Sequence, residues 1–505
     1  MDQHSYYVLV KRLELDASVS PALYRTKVLL ISSAAYVVLF GVLFTVAVLL
    51  YLGATRLEQG ASATARLALL LVFMGPTFFV VFRMFFMRLP PPEGRYIEKA
   101  EAPVLFGVLD KLRKRLNGPP IHRVLVNTDF NASISQRPRW GLFGGHTNYL
   151  TLGLPFMLGM TSEEMLAIVA HEYGHVCGNH GKTSAWVYRQ RLTFGALYDQ
   201  VVESAEDNLI NRGIAWLLQG FMPYYNAYTF VLSREDEYEA DRTATEMVGG
   251  EVNAQGLIRG ELLGRWIQEE FWPKLYQQAD SRDKPAFMPF SAMRSAFKAA
   301  YPEWATGERL AAAWRVRSDL HDTHPALRER VDAIGAKEAL PRCVDKTAAD
   351  VLLGATAKLL MNEFDRHWWE DEKAPWRARH QYAMRSKARL QELSGLPPEG
   401  MSLAELYERA ILSAEFESAQ TAKALLERVL RQPGGPFPKA AYHYGCILLD
   451  EGNAHGLEHL AAAANADQQI REQAALAGYA YLRQQQGEEA AQAWWERIIS
   501  EDEED

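Results

Sequence analysis

The hydrophobic positions of this chain follow three patterns. Residues 28 to 52, VLLISSAAYVVLFGVLFTVAVLLYL, carry no charge. About 20 apolar residues in a helix suffice to cross a bilayer core, so this run predicts a membrane span. A second run, LALLLVFMGPTFFVVF, lies between Arg66 and Arg83, and MFFM continues it. It is short for a span, but Arg83 can snorkel. Together they predict a transmembrane hairpin, about 28–52 and 67–86, within an N-terminal segment 1–95. Lys11, Arg12, Arg25 and Lys27 precede the hairpin and Arg83, Arg88, Arg95 and Lys99 follow it, whereas the connecting loop holds only Arg56 and Arg66. The positive-inside rule then puts both flanks, and everything from residue 90 onward, in the cytoplasm, with the lipid bilayer as a partner.

The second pattern mixes periods. EAPVLFGVLDKLRKRL has helical spacing and stops at Asn117-Gly118-Pro119-Pro120. HRVLVNTD, NASISQRPRW and HTNYLTLGLPFM read as strands, with a turn at Gly144-Gly145, so an antiparallel sheet of about three strands is expected. Its edge could accept an extended peptide. Thr161-x-x-Glu164 then opens a helix through MLAIVAHEYGHV, with Gly178 suited to its C-terminal cap. The third pattern begins after about residue 340, where the chain becomes alanine-rich and helical. Ala441 and Ala475, Leu448 and Leu482, and Gly452 and Gly487 are separated by 34, 34 and 35 residues, the period of tetratricopeptide helix pairs. The expected domains are 96–340, a helical connector 341–399 and a helical-repeat domain 400–505 with a groove for a client or adaptor protein.

Composition narrows the function. Basic residues number 54 against 62 acidic, a net charge of −8, so no nucleic-acid surface is expected. Cys177, Cys343 and Cys446 are widely spaced and form no CxxC pair. That spacing excludes a disulfide framework and a thiolate metal site, and suits a reducing compartment.

The chemistry concentrates in AHEYGHVCGNHG, residues 170–181. His171 and His175 sit one helical turn apart on one face, where two neutral imidazoles can bind one zinc ion, and Glu172 can reach a water beside it. A catalytic zinc needs a third protein ligand, and no HExxHxxGxxH histidine follows. SREDEYEADR, residues 233–242, offers carboxylates instead. Glu237 and Asp241 are four apart, so one can ligate while the other holds the far ring nitrogen of a ligand histidine. Residues 213–233, GIAWLLQGFMPYYNAYTFVLS, are uncharged but contain Gln219, Pro223 and Asn226. A crossing there would separate Glu237 from the two histidines, so a core helix, or one resting on the bilayer, is expected.

HEYGH followed by SREDEYEAD resembles the HtpX and CAAX-prenyl-protease family of membrane zinc metallopeptidases. The resemblance implies that His171, His175 and Glu237 ligate one Zn2+, that Glu172 is the general base, and that Asp241 supports His171. It matches Asn131, Ala132 and Ser133 to the family's substrate-side strand, with Ser133 where an aromatic is usual. THPALRER supplies His324, expected to stabilise an oxyanion or occupy the open metal position at rest, and Arg330, expected to anchor that loop. The fold implied is mostly α with a small antiparallel β-sheet: a two-helix transmembrane hairpin, a zincin-like metalloprotease domain and C-terminal tetratricopeptide-like helical repeats. The function implied is a zinc-dependent endopeptidase acting on protein or peptide substrates in a bacterial inner membrane, with membrane-protein quality control as its setting. Two rivals are a membrane-tethered adaptor with a structural metal and a prenyl-protein endopeptidase. Glu172 disfavours the first, and the small number of spans disfavours the second.

Overall fold

The computed structural model describes residues 3–57, 90–139, 145–177, 186–187, 190–191, 209–318 and 324–500. The chain divides into two compact units, residues 1–274 with 287–371, and residues 275–286 with 372–505.

The first unit opens with helices α1 (Gln3–Val19) and α2 (Pro21–Leu57). The first expected span, 28–52, lies within α2, and the second, 67–86, falls outside the described residues. Among the described residues no helix is long and apolar enough to cross a membrane.

Strand β1 (Arg95–Tyr96) is followed by helix α3 (Pro103–Leu116), whose Leu105, Leu109 and Leu112 are buried. Asn117 closes α3 in the left-handed conformation. Strands β2 (Arg123–Asn127), β3 (Ala132–Pro138) and β4 (His146–Gly153) complete a four-stranded sheet of order β1-β2-β4-β3. The expectation of an antiparallel sheet needs correction: β2 pairs parallel with β4, from Arg123↔Tyr149 to Asn127↔Gly153, so the sheet is mixed. The reason lies in strand placement. β3 takes the sheet edge and pairs antiparallel with β4 from Ala132↔Leu152 to Pro138↔His146. The chain has therefore reversed twice when β4 enters beside β2, and the two run the same way. Leu125, Val126, Leu150 and Leu152 of these central strands are fully buried, as expected for strands covered on both faces.

Helix α4 (Leu154–Gly159) leads into α5 (Ser162–Gly174), which carries the two-histidine motif. Thr161 and Glu164 form a reciprocal capping box at the start of α5. Next comes α6 (Leu209–Val248), one helix of 40 residues that passes through Pro223. The uncharged stretch 213–233 and the acidic SREDEYEADR are thus parts of one rod, about 60 Å long at 1.5 Å per residue. Trp216 near its start is 76% exposed, whereas Tyr225, Ala227, Phe230 and Val231 are buried. Helix α7 (Gly250–Trp266) packs behind α5, and its buried Arg259 reaches both oxygens of Glu164, at 2.9 and 3.0 Å. That bidentate pair anchors the N-terminus of the motif helix from the core side. Helix α8 (Leu327–Ile334) ends at Gly335, and α9 (Ala355–Ser394) runs from the first unit into the second.

The second unit is helical. Three hairpins follow one another: α10 (Leu403–Phe416) with α11 (Ala419–Leu430), α12 (Pro438–Asp450) with α13 (Gly456–Ala466), and α14 (Gln468–Gln485) with α15 (Glu488–Ser500). The spaced pairs read from the sequence occupy matching places in the last two hairpins. Ala441 and Ala475 are buried, as are Leu448 and Leu482, and Gly452 and Gly487 both turn the chain at positive φ, +76° and +96°. The segment 275–286 belongs here through Arg379 on Asp280 at 2.6 Å and the Trp376 indole on the Arg282 carbonyl at 3.0 Å.

Candidate metal centre

His171 lies in the last turn of α5 and His175 at its C-cap, still in the helical conformation. Their rings meet edge to face, with the two Nε2 atoms 3.3 Å apart. Across from them α6 presents Glu237, whose carboxylate lies 3.5 Å from His171 Nε2 and 3.3 Å from His175 Nε2. Ligand bonds of about 2.0–2.1 Å in a tetrahedron imply donors about 3.3–3.4 Å apart, so these three fit one zinc ion. A second observation agrees. Glu237 is buried, and its Oε2 has no hydrogen-bond partner among the described residues. His324 Nδ1 stands 2.8 Å from that oxygen and pairs with it when protonated. A buried carboxylate oxygen is costly unless a cation, a metal ion or a protonated imidazole, meets it. Glu172 also comes within 4.8 Å of the two histidines. Its Oε2, however, accepts the Ile134 amide at 3.2 Å, which holds it on the sheet side and leaves Glu237 as the third donor.

Glycine is what lets α6 come so close. A Cβ on Gly174, the fourth residue of HEYGH, would stand 3.2 Å from the Ala240 Cα and 3.3 Å from the Thr243 Cβ. The close approach of α5 and α6 at this point carries Glu237 and Asp241 to the histidines.

Behind the donors lies a charge relay of fixed geometry. His171 Nδ1 is 2.9 Å from Asp241 Oδ1, so its donated proton would leave Nε2 free for a metal. Asp241 in turn accepts two bonds from Arg330 of α8, at 2.8 Å from Nε and 2.7 Å from Nη2. Burial would raise the carboxyl pKa of Asp241, but Arg330 and His171 overcome it and hold it below its ordinary value. Burial likewise opposes the charge on Glu237, yet His171, His175 and His324 around it keep its carboxyl far below the usual range. His171 is disfavoured as a cation by burial, but the bonds to Asp241 and Glu237 win and push it up to about 9.

The structure thus gathers His171, Glu172, His175, Glu237, Asp241, His324 and Arg330 around one point. His324 is the exposed member, its side chain 67% accessible. Of the proposed substrate strand, Asn131 precedes β3 and accepts the Ala132 amide with its own side chain, and Ser133 pairs with Thr151. The β3 residue that touches Glu172 is Ile134, one position beyond the triplet read from the sequence. Nothing in the side chain of Ile134 signals this, because its backbone makes the contact. The alternation of β3 along an open edge was the available clue. Arg259 was also missed; a lone arginine in a helical pattern gives no hint of its buried partner.

Residues 140–338 match the family model of peptidase family M48. No curated protein and no solved structure matches the chain.

Proposed function

We propose, from the premise that residues 140–338 form a domain of peptidase family M48, that this chain is a zinc-dependent endopeptidase acting on protein substrates at a membrane. The family supports a metallopeptidase. The observation that carries the finer reading is the set of three donors 3.3–3.5 Å apart, with Glu172 beside them and not among them.

His171, His175 and Glu237 would hold the ion. Bound there, zinc would supply Lewis acidity to polarise a peptide carbonyl and acidify water. The rest falls to the protein's own groups. Glu172 takes a proton from the attacking water and later delivers it to the leaving amine nitrogen. The amide of Ile134 holds one oxygen of Glu172, leaving the other to face the reacting atoms. β3, as the sheet edge beside Glu172, can pair with an extended substrate and set its carbonyl against the donors. His324, mostly exposed beside Glu237, is suited to donate to the developing oxyanion or to close the open position at rest.

Membrane attachment is supported by the charge-free run 28–52 and the basic residues on its flank. Such an anchor would suit membrane-protein quality control. A client role for the tetratricopeptide-like hairpins of the second unit is supported by their repeated buried positions. A purely adaptor role with a structural metal is disfavoured, because such sites have four protein ligands and no base at hand. The test is Glu172→Gln. It should retain one zinc per chain while cleavage of an unstructured protein such as casein falls by at least a hundredfold. Undiminished turnover with zinc still bound would remove Glu172 from the mechanism.

A further inference from the structure

The two helices at the start of the chain meet the ligand helix directly. α1 buries Val10, Leu13 and Ala17, and α2 buries Tyr24 and Val28, in a cluster with Ala227, Phe230, Val231 and Leu232 of α6. Polar contacts register this packing. The Tyr24 hydroxyl donates to the Tyr228 carbonyl. Arg25 lies 3.2 Å from Glu239, and Arg234 lies 2.8 Å from Glu14. Gln190, fully buried, donates to the Ser32 carbonyl at 2.7 Å and accepts from the Tyr225 hydroxyl at 3.1 Å, bridging α2 to α6.

Helical geometry says which way this brace acts. At about 100° per residue, Tyr228 and Glu239 lie within about 20° of each other around α6, and Glu237 points about 200° away from Glu239. Phe230 and Arg234 lie about 20° and 60° from Glu237 by the same count, so the N-terminal helices grip the rod over a broad arc from the flank of Glu237 round to its back, while α5 meets it through Gly174. Rotation of α6 by even a fraction of a residue step would move the Glu237 oxygens off their 3.3–3.5 Å spacing to the histidines. The contacts nearest that point are Arg234, three residues before Glu237, and Glu239, two after.

We propose that Glu14, Tyr24 and Arg25 are positioning residues for the metal centre: by gripping α6 from the flank of Glu237 round to its back, they set the rotation of Glu237 and Asp241 against His171 and His175. This rests on the reading of the three donors as a metal site. It makes α1 and the base of α2 part of the peptidase machinery, whatever α2 does further along.

The test uses the full chain with swapped charges: Arg234→Glu, Glu14→Arg and the two combined. The readouts are zinc affinity by chelator competition, kcat and KM on an unstructured peptide, and the thermal midpoint. Each single variant should lose about tenfold in zinc affinity, the lower end of what ligand-supporting groups contribute, and lose kcat with little change in KM. The combined variant should regain most of both. Where a reversal prevents folding, Arg25→Gln and Tyr24→Phe give the milder reading, with zinc affinity falling severalfold in a chain that keeps its midpoint. Unchanged zinc affinity in folded single variants overturns the proposal, as does a folded combined variant with no recovery. Zinc affinity is read without any cleavage, so loss of peptidase activity alone, with affinity behaving as stated, would count against the enzymatic reading and leave the brace standing.

Discussion

Replacing Arg330 by methionine removes the guanidinium behind the metal donors while keeping an unbranched apolar stem. Arg330 gives Asp241 two hydrogen bonds, at 2.7 and 2.8 Å, and its own side chain is 14% exposed. Asp241 is 1% exposed and cannot turn to water for replacements. Stranding one member of a buried pair typically costs about 3–5 kcal/mol, against about 0–1 kcal/mol for a surface pair. The cost here belongs to the first class. The carboxyl pKa of Asp241 should rise once burial is unopposed by the guanidinium, and a proton should enter to relieve it. Adding Asp241→Leu removes the stranded group, so the double variant should recover about 2 kcal/mol or more of what Arg330→Met lost. Zinc affinity should not recover with it, because the double variant deprives His171 Nδ1 of its acceptor, and a loss of tenfold or more is expected there. Urea unfolding of the metal-free chain and chelator competition read the two quantities separately. A loss below about 1 kcal/mol in Arg330→Met, or a double variant no more stable than the single, would refute the reasoning.

Gly174→Val should cost about 1–3 kcal/mol by forcing α6 outward, and zinc affinity should fall with it; a folded variant binding zinc like the parent would show that the close approach is dispensable. Glu237→Ala should lose zinc and activity together, whereas Glu235→Ala should keep both, and inversion of that order by metal analysis would reassign the register of α6. The metal-free chain should show a stability maximum with pH. Glu237 and Asp241 are held below their ordinary values, so their contribution is present above about pH 4 and lost on acidification through their folded values. His171, raised to about 9, contributes fully below about 6.5 and loses it as pH climbs to 9. Thermal midpoints in chelator should therefore decline from pH 6.5 to 9, and a flat or rising trend would contradict this.

How much of this was legible in the sequence follows from the range of each interaction. The turn between His171 and His175, the capping box at Thr161 and Glu164, and the four-residue step from Glu237 to Asp241 are local spacings, and helical geometry translates them directly. The parallel pairing of β2 with β4 was not legible, since nothing local tells an edge strand from a central one in a set of three. The continuity of α6 was obscured by Pro223 and by the change from uncharged to acidic composition, yet tertiary packing overrides both. The brace of α1 on α6 joins Glu14 to Arg234 across more than two hundred positions, and its apolar partners read from sequence as a membrane flank. Gly174 within HEYGH carries no local signal of its role; its reason is the Ala240 backbone on another helix.

The unbroken run of α6 also constrains how this chain can change over generations. Each added or lost residue between Leu232 and Glu237 would swing Glu237 by about 100° and shift it by about 1.5 Å relative to the face that α1 and α2 grip. Substitutions there can accumulate one at a time, each tolerated or compensated by a neighbour. A change of length cannot be absorbed, because two partners read the same rod. Descendants of this sequence should therefore vary in letters across 224–241, apart from Arg234, Glu237, Glu239 and Asp241, while inheriting the count of residues unchanged, and insertions should collect outside the rod's gripped portion.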